Sequence, residues 1–244
     1  MSGESSTHIT ILGVRHPDRQ VPSIAPEFVN NSVDGVFHES PISESNLLQY
    51  LVWQLLKHPL GILIGTIRLL RYFVVQLVIL GEILGQRKRP QVQWENGQAQ
   101  GLNAARNLAN DLGTEVESVD MNRVERVKSF PIKLSIFSWF GTLLGVSAVS
   151  IILANPSVGG LVAFSLLFAF VTVVASRISD EFRPYRDEFM WENISESIDE
   201  NGFENVVLFT GENHVPGLST HATADGVDSD CYWLSSLGEL REEE

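Results

Sequence analysis

Two short apolar runs in this chain end in the same way. Ile9-Thr10-Ile11-Leu12 leads into Gly13-Val14-Arg15-His16, and Val206-Val207-Leu208-Phe209-Thr210 leads into Gly211-Glu212-Asn213-His214. Each reads as a buried β-strand that presents a histidine at its C-terminal tip. A further strand over Val33–Pro41 brings Glu39 to its end. His38 and Glu39 are adjacent, so strand alternation sends them to opposite faces. Glu39 is assigned to the site, and His38 is expected to be packed or hydrogen-bonded. Two imidazoles and a carboxylate suit a borderline divalent ion such as Mn, Co or Zn, with water in the open positions. That ion would acidify bound water and polarise a carbonyl, which is hydrolytic chemistry, with a second carboxylate as a candidate base. Asp120, at the end of a strand over Thr114–Val119, either joins the site or caps the helix that starts near Asn122. The plain alternative for each histidine is a hydrogen-bonded strand-end residue. The chain carries no Gly-x-Ser-x-Gly elbow, His-Glu-x-x-His helix, phosphate loop or dinucleotide fingerprint.

The elements that must position these groups alternate between strand and helix. Residues 44–58 form an amphipathic helix (Leu47, Leu48, Leu51, Val52, Leu55) capped by Ser43 or Ser45. Gln86–Gly97 is a polar linker, and Ala99–Leu112 is a second soluble helix stopped by Gly113. Asp187–Asp199 is a further amphipathic helix (Phe189, Met190, Ile194, Ile198), stopped by Asn201-Gly202. A Pro216-Gly217 turn follows His214. Residues 219–244 are polar and acidic and are expected to be a loose tail with a short apolar patch around Tyr232-Trp233-Leu234. This alternation predicts an α/β (α+β) soluble domain with a central sheet, whose ligand site lies above the strand ends. Beyond the paired Gly-x-x-His strands no internal repeat emerges.

Three stretches raise the question of a membrane. Leu60–Leu84 is long and apolar, but Arg68 and Arg71 sit near its middle, where arginine costs about 2.5–3.5 kcal/mol on insertion scales. One crossing there would also put His16 and Glu39 on the opposite side of the bilayer from His214. Residues 60–86 therefore read as a soluble or membrane-surface helix. Leu134–Ala154 and Val158–Ser176 are uncharged and each matches a ~30 Å hydrocarbon core. The turn Asn155-Pro156-Ser157 joins them. Arg123, Arg126, Lys128 and Lys133 precede the pair, and Arg177, Arg183 and Arg186 follow it. The positive-inside rule then places both ends in the cytoplasm. The prediction is a two-helix transmembrane hairpin in a cell-membrane protein whose soluble domain is cytoplasmic. The hairpin returns the chain to the side it left.

Composition narrows the partners. The net charge of −13 leaves no basic stripe to neutralise phosphates, which excludes nucleic acid. Only Lys57, Lys88, Lys128 and Lys133 are lysines. An acidic, lysine-poor surface resembles proteins of salt-loving archaea, where ionic strength screens self-repulsion. Cys231 is the only cysteine, so no intramolecular disulfide forms. Asp228 and Asp230 nearby disfavour a thiolate, and Cys231 reads as structural. The polar residues ahead of Ile9 do not read as a secretory leader.

The motifs Gly13-x-x-His16, Val36-x-x-Glu39, Ala105…Ala109-x-x-x-Gly113-x-x-Val116-x-x-Val119-Asp120, Arg186-Asp187-x-x-Met190 and Gly211-x-x-His214-Val215-x-Gly217 run in order along nearly the whole chain. Together the series resembles the TraB/PrgY/GumN family, which is related to the Tiki metalloproteases. The resemblance implies a divalent metal held by His16, His214 and Glu39, with Glu39, Arg186 and Asp120 as catalytic or accessory groups. It also implies a membrane-anchored metal-dependent peptidase acting on a peptide, or a non-catalytic, pheromone-shutdown-like regulator that binds a peptide or partner. The chain departs from the family pattern at Met121, where arginine is usual, and at Tyr185, where glutamate is usual. It also has no acidic residue near Gln100 or Gly101. The expected organisation is a TraB-like domain over 1–128 and 179–220, a hairpin over 129–178, and an acidic tail over 221–244.

Overall fold

A computed structural model describes residues 7–14, 21–29, 32–43, 46–62, 100–154 and 157–234. His16, the linker 86–97 and most of the 60–86 stretch lie outside the described residues. The chain divides into two units. A sheet unit comprises Met1–Glu44, Glu95–Asn122 and Arg183–Glu244, and a helical unit comprises Ser45–Trp94 and Arg123–Phe182.

The sheet unit is α/β. Five parallel strands, β1 (His8–Val14), β2 (Gly35–Pro41), β3 (Val116–Asp120), β4 (Asn205–Gly211) and β5 (Asp228–Trp233), lie in the order β3-β2-β4-β1-β5. The inner strands β1 and β4 are buried on both faces, which is why they read as unbroken apolar runs. Alternate residues feed two cores. Ile9, Ile11, Phe37, Val206 and Leu208 join Met190, Ile194 and Leu218 on one face. Leu12, Val14, Val36, Val207 and Phe209 join Val21, Ala105 and Leu108 on the other.

The helices follow from this division. Helix α1 (Val21–Ile24) links β1 to β2, and α3 (Gln100–Leu112) lies between β2 and β3. Both pack on the second face, and their connections step toward the β3 edge. The part of α6 (Val158–Asn201) within this unit, and α7 (Val215–Ala224), pack on the first face. Their connections step toward the β5 edge. Crossovers of one hand that run in opposite directions must lie on opposite faces of a parallel sheet, so this is a doubly wound arrangement. Its connections diverge between β2 and β4, which makes the gap above their C-terminal ends the switch point.

Several expectations change here. Pro216 and Gly217 do not make a turn but start α7, where a proline near the helix N-terminus loses no hydrogen bond. Residues 219–234 are not a loose tail: they complete α7 and form β5, whose register runs from His8↔Asp228 to Gly13↔Trp233. The Asp187–Asp199 helix is the end of the 44-residue α6, with Pro184 inside it. That helix does stop at Gly202, whose φ of +68° suits glycine.

In the helical unit, α2 (Leu47–Lys57) is capped by neither Ser43 nor Ser45 but by Asn46, whose side chain accepts from Leu48 N and Gln49 N at 2.9 and 3.3 Å. It packs against α4 (Arg123–Lys128) and reaches α5 (Ile132–Ala154). The buried hydroxyl of Ser138 accepts from Leu60 N at 3.1 Å and meets His58 Nδ1 at 2.9 Å. His58 stacks on Phe130 at 4.7 Å between ring centroids, and burial lowers its pKa to about 4. A methyl group at Gly141 would meet Leu60 and Val174, so α5 and α6 approach closely there. Among the described residues one helix, Ile132–Ser150, is long and apolar enough to cross a membrane, and only 28% of it is buried.

Candidate functional site

Glu39 ends the regular part of β2 on the face that carries Phe37, as alternation requires. Its side chain is 7% exposed. Glu39 Oε2 accepts from Thr210 Oγ1 at 2.9 Å and from Gly211 N at 2.8 Å, so the tip of β4 fixes the carboxylate. His38 is buried on the other face, near Gly101 of α3.

After β4 the chain turns tightly, with His214 N donating to Gly211 O at 2.8 Å. The ring of His214 is thereby set over the switch point, with Nε2 4.0 Å from Glu39 Oε2. Two consecutive residues of α6 hold the ring from both sides. Asp187 Oδ1 meets Nδ1 at 2.5 Å, and Arg186 Nη1 lies 3.1 Å from Nε2. A guanidinium can only donate, so Nε2 must be the acceptor and Nδ1 must carry the proton that Asp187 accepts. Arg186 is itself held by Asp120, which is 1% exposed: Nη2 donates to Oδ2 at 2.6 Å and Nε to Oδ1 at 3.4 Å. Asp120 Oδ1 also accepts from Met121 N at 2.9 Å. The Asp120 carboxylate is thereby part of this hydrogen-bonded chain.

The result is a continuous line Asp120–Arg186–His214–Asp187 with Glu39 beside it, all within the sheet unit. Of the residues expected at the site, Glu39, Asp120, Arg186 and His214 come together, and His16 lies outside the described residues. Even so, β1 and β4 are neighbours in register, with Gly13 opposite Thr210 and Val14 opposite Gly211. The two Gly-x-x-His strands therefore end side by side. Gly13 permits the close approach of α7, since a methyl group there would fall 2.8 Å from Val215 Cγ2, whereas one at Gly211 would make only an ordinary contact, 3.4 Å from Glu39 Oε2.

Four contributors were not anticipated. Asp187 orients the imidazole, and Thr210 and the Gly211 amide pin Glu39. Gly217 makes room, since a methyl group there would overlap Asp187 Oδ2. The Arg186-Asp187 pair was visible as a motif, but helical periodicity alone does not show that neighbours along a helix grip one ring from two sides.

Among the described residues no group of three His, Cys, Asp or Glu side chains is placed to hold a metal ion. Two donors, His214 Nε2 and Glu39 Oε2, lie 4.0 Å apart with Arg186 on Nε2, somewhat wider than the ~3.4 Å that tetrahedral bonds of ~2.0–2.2 Å to one ion would set. The carboxylate on Nδ1 is the usual outer support of a metal-binding imidazole. A shallow cavity of about 330 Å³ between Pro22–Pro26 and Ala104–Asp111 shares no lining residue with this network.

Fold and site together define a parallel α/β unit with a buried His–carboxylate cluster at its switch point. Comparison with family models, curated proteins and solved structures finds no match to this chain.

Proposed function

We propose that the chain is a membrane-anchored, metal-dependent hydrolase of TraB-like type, acting on peptide bonds. The observation that carries this reading is the 4.0 Å separation of His214 Nε2 and Glu39 Oε2, with Asp187 behind the imidazole. His214 and Glu39 would hold a Mn, Co or Zn ion, with His16 as the third ligand. That ion would supply Lewis acidity toward a carbonyl and an acidified water. Asp187 accepts the Nδ1 proton, which leaves Nε2 as the nitrogen that would bind the ion once Arg186 moves away. Arg186, steadied by Asp120, presents positive charge beside the reacting atoms, where it can leave Nε2 and stabilise a developing oxyanion. The anchor in this proposal is a hairpin of two spans, Leu134–Ala154 and Val158–Ser176, with both ends cytoplasmic. The largely exposed apolar surface of α5 and the basic flanks support it. The acidic, lysine-poor composition favours a halophilic source.

One contact favours a second reading. Arg186 Nη1 occupies the lone pair of His214 Nε2, which a metal ligand must offer. A pocket kept closed in this way suits a non-catalytic protein that binds a peptide or partner, as in pheromone-shutdown-like regulation. Peptide cleavage in high salt with added Mn or Co separates the two. The hydrolase reading expects activity that Glu39→Gln and His214→Ala each abolish. Peptide binding without cleavage in the wild type rejects it in favour of the regulator.

A further inference from the structure

Helix α2 is inside out. On the side packed toward α4 it places Tyr50, Trp53, the buried Gln54 and Lys57. Its other side exposes Leu47, Leu48, Leu51, Val52, Leu55 and Leu56, each between 45% and 71% accessible. A surface helix of a water-soluble fold does the reverse. At eleven residues α2 is about 16 Å long, too short to cross a bilayer.

Two further observations say what covers this face. The first is continuity with α5: Trp139 Nε1 donates to Leu56 O at 3.1 Å, and Ile136, Trp139 and Phe140 are themselves exposed. The second is charge. The chain carries −13 overall, yet residues 46–62 and 123–154 hold five basic side chains (Lys57, Arg123, Arg126, Lys128, Lys133) against the single acidic Glu125. Lys128 Nζ sits 5.7 Å from the Trp53 ring centroid, on the border of the aliphatic face. Aliphatic side chains edged by tryptophan and lysine, beside an apolar helix of membrane length, are the features of a helix lying in the interface plane.

We propose that α2 is a membrane-surface helix. Its aliphatic face sinks into the acyl boundary of the bilayer that α5 crosses, and Lys128 meets anionic lipid headgroups. This rests on the membrane reading of α5. The test uses the full chain in a Cys231→Ser background, with a bimane label at Leu51→Cys or Leu48→Cys on α2, or at Leu143→Cys on α5. The protein is reconstituted in vesicles of phosphatidylcholine and phosphatidylglycerol. Quenching is measured with iodide in water and with lipids carrying a nitroxide near the headgroup or near the acyl terminus. The expected result is that both α2 labels are shielded from iodide and quenched most by the headgroup-proximal nitroxide, while the Leu143 label is quenched most by the deep one. Iodide quenching without nitroxide quenching at both α2 labels overturns the proposal in favour of a solvated face. Shielding from both quenchers overturns it in favour of protein cover, and pyrene excimers at Leu51→Cys would identify that cover as a second copy rather than the segment 63–99. Lipid quenching at Leu143 alone leaves the anchor standing while the α2 proposal falls. Its absence at all three positions removes the anchor itself.

Discussion

The two units of this chain treat polar and apolar groups in opposite ways. The sheet unit buries charge: Asp120, Asp187, Glu39 and His214 are all nearly inaccessible and are held by short hydrogen bonds. The helical unit exposes hydrocarbon along one side of α2 and much of α5 while it buries Gln54 and Ser138. Burying charge is costly without partners, and exposing aliphatic surface is costly in water. The sheet unit meets the first cost with its chain of donors and acceptors, and on the proposed membrane reading α5 escapes the second by facing lipid. The contrast teaches that hydrophobic pattern must be read against the solvent each surface meets.

The largest effect is expected where that polar chain is cut. Arg186→Met leaves Asp120 buried without its guanidinium, and chemical denaturation of the sheet unit should show a loss of about 3–5 kcal/mol. A loss under 1 kcal/mol would mean that Asp120 is satisfied elsewhere. Next, Leu143→Lys on α5 probes the other half of the contrast. In a bilayer it should reduce insertion by about 2.5–3.5 kcal/mol in a translocon assay, whereas an exposed position in water tolerates it within about 0.5 kcal/mol.

A smaller and more local effect is expected at Gly217. Its alanine variant pushes on Asp187, costs about 1–3 kcal/mol, and frees the His214 ring to change tautomer. Nitrogen chemical shifts of His214 should report a mixed tautomer, and an unchanged Nδ1–H form would show that Asp187 yields without releasing the ring.

The mildest effect concerns pH. Burial holds His58 at about 4 against an ordinary 6.5, so as pH falls the unfolded chain takes up the proton first. The stability of the helical unit should therefore be level above neutrality and decline from about pH 6.5 toward 4. Thermal unfolding of wild type and His58→Phe across that window checks it, because the variant should lose this part of the slope.

Where burial was two-sided, the sequence was easy to read. β1 and β4 announce themselves as apolar runs, and alternation was enough to put Glu39 and His38 on opposite faces. β5 did not announce itself: it is an edge strand with exposed Asp228 and Asp230, polar residues with low strand propensity. The reversed face of α2 was also hidden, because periodicity locates an apolar stripe without saying what it faces. Asp187 escaped for a third reason, since its role depends on how α6 meets His214, a long-range contact that no local pattern encodes.

The central claim is that Glu39 and His214 share one divalent ion, and elemental analysis of the purified full chain tests it most directly. The account predicts about one Mn, Co or Zn per chain, as for a single site, with the metal lost in both Glu39→Gln and His214→Ala while circular dichroism stays unchanged. A wild type free of metal after purification with those ions present, or variants that keep the full complement, would contradict it.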